Sequence, residues 1–175
     1  MVEPTTLRDL WLSHANRLVL IARSIGEPAE DAVQEAFVAL AKEKQLPRDP
    51  LAWLVRVTRN QLLHWRRGGQ RRRERERIVA RHRWFEPSAE SVENRLDAAD
   101  AMQAMESLPA EQREIVVMHL WGEMSFETIA GVIGTSRATA HRRYIDGLRQ
   151  LQERLEPRSR AASGDTVQAP HRDFT

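Results

Sequence analysis

The sequence predicts an all-α fold: two small helical domains joined by an acidic linker, the C-terminal one a helix-turn-helix. Apolar residues keep a helical period from Leu7 to Ile25, from Val33 to Ala41 and from Leu51 to Trp65. The composition then turns acidic in WFEPSAESVENRLDAAD, residues 84–100, before a new apolar pattern begins at Ala101, Ala104, Met105 and Leu108. In MSFETIAGVIGTSRATAHRRYIDGLRQL, Met124 to Leu151, two periodic runs meet at Gly134. These shifts divide the chain into a unit over residues 1–83, a linker over 84–100, a second unit over 101–156 and a tail over 157–175. The tail is poor in large apolar residues, so disorder is expected there.

Composition narrows the function classes. A chain of 175 residues with 41% hydrophobic content can bury one core or two small ones. Cysteine is absent, which removes disulfides, thiolate nucleophiles and cysteine-type zinc sites. The six histidines are scattered and form no H-E-x-x-H, so neither metal nor cofactor is expected. No basic n-region followed by an apolar run opens the chain, and no stretch is long and apolar enough for a membrane span. A soluble cytoplasmic protein without membrane insertion is the expectation. Net charge is only +2 with a pI near 9.6, but arginine is placed unevenly, and a local basic patch can hold phosphate while acidic segments cancel it in the sum.

The first helix, from about Thr6 to Ser24, carries Leu7, Leu10, Trp11, His14, Leu18, Ile21, Ala22 and Ile25 on one side and ends near Gly26. A lone histidine such as His14 on an apolar face is read as a core residue with its polar atoms satisfied. Pro28 opens a second helix that buries Val33, Ala36, Phe37, Leu40 and Ala41. Its other face bears Asp31, Gln34, Glu35, Val38 and Lys42. From the residues alone, Asp31 and Gln34 read first as a D-x-x-Q capping pair and second as part of a docking face for a protein.

The third helix, Leu51 to about Arg67, sets Leu51, Leu54, Val55, Thr58, Leu62 and Trp65 against an opposite side of Arg56, Asn60, His64 and Arg67. Trp53 falls with the polar set and is read as packing on another element, with a surface for stacking bases as the second option. Arg59, Arg66 and Arg67 lead into Arg71, Arg72, Arg73, Arg75, Arg77, Arg81 and Arg83, opposed only by Glu74 and Glu76. Arginine stacks as well as pairing with phosphate, so a tract beside tryptophan suits melted or single-stranded nucleic acid.

In the second unit, Pro109 starts AEQREIVVMHLW, which Gly122 ends. Phe126, Ile129, Ala130 and Ile133 then form one apolar helix face, Gly134 supplies the turn and Ser136 caps the next helix. That helix turns Ala140, Tyr144, Leu148 and Leu151 inward and leaves Arg137, Thr139, His141, Arg142 and Arg143 largely outward. A basic, hydrogen-bonding face near the start of a second helix is where a recognition helix meets the major groove.

Three ordered stretches carry a family resemblance. EPAEDAVQEAFVAL resembles the A-E-D-x-x-Q-E-x-F stretch of the extracytoplasmic-function (ECF) group of sigma-70 RNA polymerase sigma factors, and PLAWLVRVTRNQLLHWRR resembles that group's P-x-x-W-L-x-x-I-A-x-N stretch. LPAEQREIVVMHLWGEMSFETIAGVIGTSRATAHRR resembles its C-terminal L-P-x-x-x-R and G-x-S-x-x-E-I-A-x-x-L-G-x-S motifs. The resemblance implies that Asp31, Gln34, Glu35 and Val38 dock on the β′ clamp of core RNA polymerase, with the β flap as a further contact. It implies that Trp53, Arg56, Arg59, Asn60, His64, Arg66 and Arg67 contact the -10 promoter element as it opens. It gives Arg137, Thr139, His141, Arg142 and Arg143 the -35 element of promoter DNA. An anti-sigma factor is an implied partner, and no covalent chemistry belongs to the chain. His64 stands where the group usually has aspartate, Thr58 where it has alanine, Ala140 where it has a larger aliphatic residue and Asp146 where arginine is common.

Two other classes compete. A one-component regulator would use the helix-turn-helix on an operator without polymerase, but the first unit offers no ligand-like cluster and much arginine. A nucleic-acid-processing enzyme would need a carboxylate cluster, a histidine pair or a nucleophile beside a base at workable spacing, and none is present in the sequence.

Overall fold

The computed structural model describes residues 1–73 and 100–162. The acidic linker up to residue 99, the arginines from Arg75 to Arg83 and the tail beyond residue 162 lie outside the described residues. Helix α1 spans Pro4–Ile25, α2 spans Ala29–Lys42 and α3 spans Pro50–Arg73. Residues 100–106 are helical and are labelled α4. It is followed by α5 (Ala110–Leu120), α6 (Phe126–Ile133) and α7 (Arg137–Ala162). The described residues hold no strand.

Local chemistry sets the ends. Proline sits in the first turn of α1, where a missing N–H costs nothing, and the Gly26 N–H closes the helix on the Ala22 carbonyl at 3.0 Å. Asp49 precedes Pro50 and accepts the Ala52 N–H on Oδ1 at 2.9 Å, so D-P opens α3. The D-x-x-Q capping pair is not made: α2 has Pro28 at its N-cap with no side-chain cap, and the Ala29 N–H is met by Glu27 Oε2 at 2.9 Å. Asp31, Gln34 and Glu35 therefore stay exposed with nothing local to do.

Helices α1, α2 and α3 pack on one another through Leu18, Ile21, Ala22, Val33, Ala36, Leu40, Leu54 and Val55, all of them buried. Full burial of each leucine, isoleucine or valine among them contributes about 1.5–3 kcal/mol. In the second unit α5 packs on α7 and α6, with Ile129, Ala130 and Ala140 inside. Gly147 of α7 is buried, and a Cβ there would meet Val116 Cγ2 at 3.1 Å, so the missing side chain lets α5 and α7 approach.

The two units are not separate in the structure. Helix α1 packs on α5, α3 packs on α6, and the buried apolar residues form one continuous cluster. Helix α5 is the reason. Five consecutive residues, Glu114 to Met118, are buried, which requires cover on every side of the helix. Its own unit supplies part of that cover and α1 supplies the rest.

Two helices outrun their expected ends. Helix α3 passes through Gly68 to Arg73, and α7 continues beyond Leu155 to Ala162, seven residues farther. Extending an existing helix needs only one residue to be fixed per added bond, so each helix runs on although Gly68 and Gly69 in α3 and Pro157 in α7 disfavour it.

Candidate nucleic-acid interface

Helix α7 presents its first turns outward because two serine caps fix the motif. Ser125 Oγ accepts the Thr128 N–H at 3.1 Å, and Ser136 Oγ accepts the Thr139 N–H at 3.1 Å. Between them Gly134 adopts φ 75° and ψ 45°, a left-handed conformation that glycine takes without a Cβ penalty. The Ala130 carbonyl then accepts both the Gly134 and Thr135 N–H groups, at 2.9 and 3.0 Å. Register between α6 and α7 is set by these bonds.

On that frame Arg137, His141 and Arg142 are exposed, as expected. Thr139 and Arg143 depart from the expected reading face. Thr139 is half-buried, and its hydroxyl accepts the Ser136 hydroxyl at 2.9 Å, so its oxygen serves the cap. Arg143 Nη1 lies 2.6 Å from Glu111 Oε2 of α5, an ion pair that ties the helix to its neighbour. His141 sets its ring edge-on to Phe126 with centroids 5.0 Å apart. Phe126 in turn stacks on His119 at 4.3 Å and meets Tyr144 at 5.2 Å. His119 Nδ1 is 2.9 Å from the Met124 carbonyl oxygen, an acceptor only, so hydrogen sits on Nδ1. Phe126, Arg137, Ala138 and His141 line an open depression of about 420 Å³ at the start of the helix. Phe126, expected on an apolar helix face, and Ala138 are its further members.

Helix α3 divides as the sequence requires: Leu54, Val55, Thr58 and Leu62 are buried, while Arg56, Asn60, His64, Arg66 and Arg67 are exposed. Asn60, His64 and Arg67 share an open depression of about 430 Å³ with Val57, Gln61 and Leu63. Two residues expected on this face lie elsewhere. Trp53 packs against the core, and with Arg56 it lines an open depression of about 350 Å³ whose other side is Thr128, Gly131 and Val132 of α6. Arg59 points its Nε at Glu114 Oε2 of α5, 2.7 Å away, with side-chain exposures of 12% and 2%. Arginine positions alone could not disclose this, because Glu114 is 55 residues away and reads as a surface carboxylate.

On the far side, Asp31, Gln34, Glu35 and Val38 of α2 form one exposed stripe, with Val38 47% exposed. His14 departs from its expected state: it is half-buried, and its Nδ1 is buried without a hydrogen-bond partner. Among the described residues no group of three or more metal-ligating side chains occurs, and no helix is long and apolar enough to cross a membrane.

Comparisons with known proteins agree with this layout. The Sigma-70 region 2 family matches residues 6–73, and the Sigma-70 region 4 family matches residues 98–151. The chain is 31% identical over 164 residues to the ECF RNA polymerase sigma factor SigE of Mycolicibacterium smegmatis, covering 86% of this chain and 62% of that protein. It is 30% identical over 161 residues to the RNA polymerase sigma-E factor of Streptomyces avermitilis, covering 87% of this chain and 83% of that protein. Among solved structures it resembles the sigma factor RpoE of Bartonella quintana, crystallised with the anti-sigma factor NepR. The TM-score is 0.69 at 24% identity, over 85% of this chain and 96% of that one. CnrH, solved in complex with the cytosolic domain of CnrY, gives a TM-score of 0.61 at 24% identity, over 89% and 90% of the two chains. These two likenesses bear on the fold; the sequence matches bear on descent. The chain belongs to the ECF group of the sigma-70 family of RNA polymerase sigma factors.

Proposed function

We propose that the chain binds core RNA polymerase, recognises a -35 and a -10 promoter element and promotes DNA opening for transcription initiation. One observation carries this reading: a single chain combines an exposed recognition-helix face, Arg137 and Arg142, with a polar groove on α3, Asn60, His64 and Arg67. The names of the sequence relatives support it. Arg137 and Arg142 lie at the end of the helix that enters the major groove, where arginine takes a guanine edge or a phosphate. Asn60 and His64 offer donors and acceptors to an unstacked base, and Arg66 and Arg67 supply cation to the strand. Catalysis of bond formation is left to polymerase. The chain contributes binding free energy to offset unstacking, which costs a few kcal/mol per step.

The exposed stripe of Asp31, Gln34, Glu35 and Val38 is the surface for the β′ clamp, since its carboxylates and amide surround an exposed valine and have no intramolecular task. The structural relatives in complexes with NepR and with CnrY support an anti-sigma factor as a partner.

Co-purification with core polymerase tests the reading. The full chain should form a stable complex with core and bind free promoter duplex weakly. Tight, steeply salt-dependent binding to one duplex without polymerase would instead identify an operator-binding regulator. Replacing Asp31 and Gln34 together should reduce core binding.

A further inference from the structure

The exposed face at the start of α7 holds one position that charge does not explain. Arg137, His141 and Arg142 offer cation and hydrogen bonds there, but Ala138 is exposed among them and offers neither. Beside it Phe126, the first residue of α6, is only half-buried, and the two line the open depression of about 420 Å³ together with Arg137 and His141. Three rings fix Phe126 in place. His119 stacks on it at 4.3 Å, while Tyr144 and His141 meet it edge-on at 5.2 and 5.0 Å. His119 is held in turn, donating from Nδ1 to the Met124 carbonyl oxygen at 2.9 Å. Rings that served the core alone would close over Phe126, yet part of its surface faces the depression on the outer side of the helix.

We infer that Phe126 and Ala138 form an apolar seat for the 5-methyl group of one thymine in the -35 element, next to the base or phosphate taken by Arg137. The inference rests on the promoter-binding reading above and names one base for its recognition helix. Thymine is the base that presents a methyl group in the major groove, and alanine and phenylalanine side chains are surfaces that suit it. The N-terminal residues of a recognition helix are those that reach base edges, and Ala138 lies in the first turn of α7, secured by the Ser136 cap. Its small size is part of the seat. A longer side chain at 138 would fill the depression and hold the base edge away from Phe126. Cytosine has no methyl to place there, and its amino group would lose water without gaining an acceptor from either side chain. A phosphate attracted by Arg137 and His141 would gain nothing from Phe126 and would carry no base preference. Since its neighbouring rings already hold Phe126, the gain is that of moving one methyl out of water, about fourfold in affinity.

Deleting the methyl from the DNA tests this with the protein untouched. Core polymerase carrying the full chain first selects its -35 sequence from a promoter library. Each thymine of the selected element, on either strand, is then replaced by deoxyuridine, which keeps the base pair and removes only the methyl. Competition binding should show one thymine whose replacement weakens the complex by about threefold to sixfold, with the others below about twofold. Ala138→Asn puts a polar side chain into the seat and should bring the thymine-to-uracil ratio at that position below about twofold. Arg142→Ala should weaken binding and leave the ratio as it was, and a helical circular dichroism spectrum shows that both variants are folded. A selected element whose uracil forms all bind as well as the parent, one that contains no thymine, or a ratio that Ala138→Asn leaves unchanged overturns the proposal alone. Failure to select any -35 sequence overturns the promoter-binding reading, and the thymine seat falls with it.

Discussion

The start of α7 and the middle of α3 carry similar chemistry under opposite conditions. Both present arginine beside an aromatic or imidazole ring, and both derive from basic, amphipathic helices. On α7, Arg137 and Arg142 are exposed, and the serine cap and the aromatic cluster behind them hold the helix without using either. On α3, Arg59 is spent on Glu114 and Trp53 is turned against α6. The face proposed to read duplex is thus exposed, while Arg59 and Trp53 of the face proposed to meet the opening strand are engaged within the molecule.

Substitutions can break or sharpen the contrast. The largest effect is expected from Ile115→Ala, because Ile115 is fully buried in the helix that both units share. The loss should be about 2–5 kcal/mol of unfolding free energy, read by chemical denaturation. Both units should lose protection together, and a loss confined to one would mean that they fold independently. Next, Arg142→Ala should cost about 1–3 kcal/mol at a single base pair of the -35 element if Arg142 reads a base. Competition binding of polymerase holoenzyme to -35 variants measures it, and uniform weakening across all variants would make Arg142 a phosphate contact. Ser136→Ala removes the cap of α7 and should lower stability by about 1 kcal/mol in a thermal melt. The smallest effect belongs to Arg143→Ala. Its pair with Glu111 is partly exposed at 36% and 57%, and such pairs contribute about 0–1 kcal/mol. Base discrimination should change less than in Arg142→Ala, and an equal or larger change would return Arg143 to the reading face.

Most of the helical layout was legible because each helix declares its own inner face. Leu54, Val55, Thr58 and Leu62 are buried where their spacing put them, and Asn60, His64 and Arg67 are exposed where theirs did. Gly134 and Ser136 gave the turn and cap of the helix-turn-helix by their chemistry alone. What periodicity does not give is the partner of a face. Trp53 packs as its residue type predicts and not on the outer face that the resemblance implies, but the element across its depression, α6, cannot be named from α3. Arg59 and Arg143 were read by charge, whereas their partners Glu114 and Glu111 lie in α5. One signal was available: in IVVM, Ile115 to Met118, four apolar residues follow one another and leave the helix no polar side there, which marks a helix covered all round. His14 shows the limit of a residue-type prior, since its Nδ1 is buried without the partner that a core histidine normally finds.

The central claim is that a chain with an exposed recognition-helix face on α7 and a polar groove on α3 acts through RNA polymerase. Reconstituted transcription on a library of promoter variants, with core polymerase, with this chain and with both, measures it most directly. Transcripts should arise only with both, from promoters sharing two sequence elements at a fixed spacing. Transcripts independent of the chain, or sequence-specific duplex binding by the chain with no transcripts, would contradict the account.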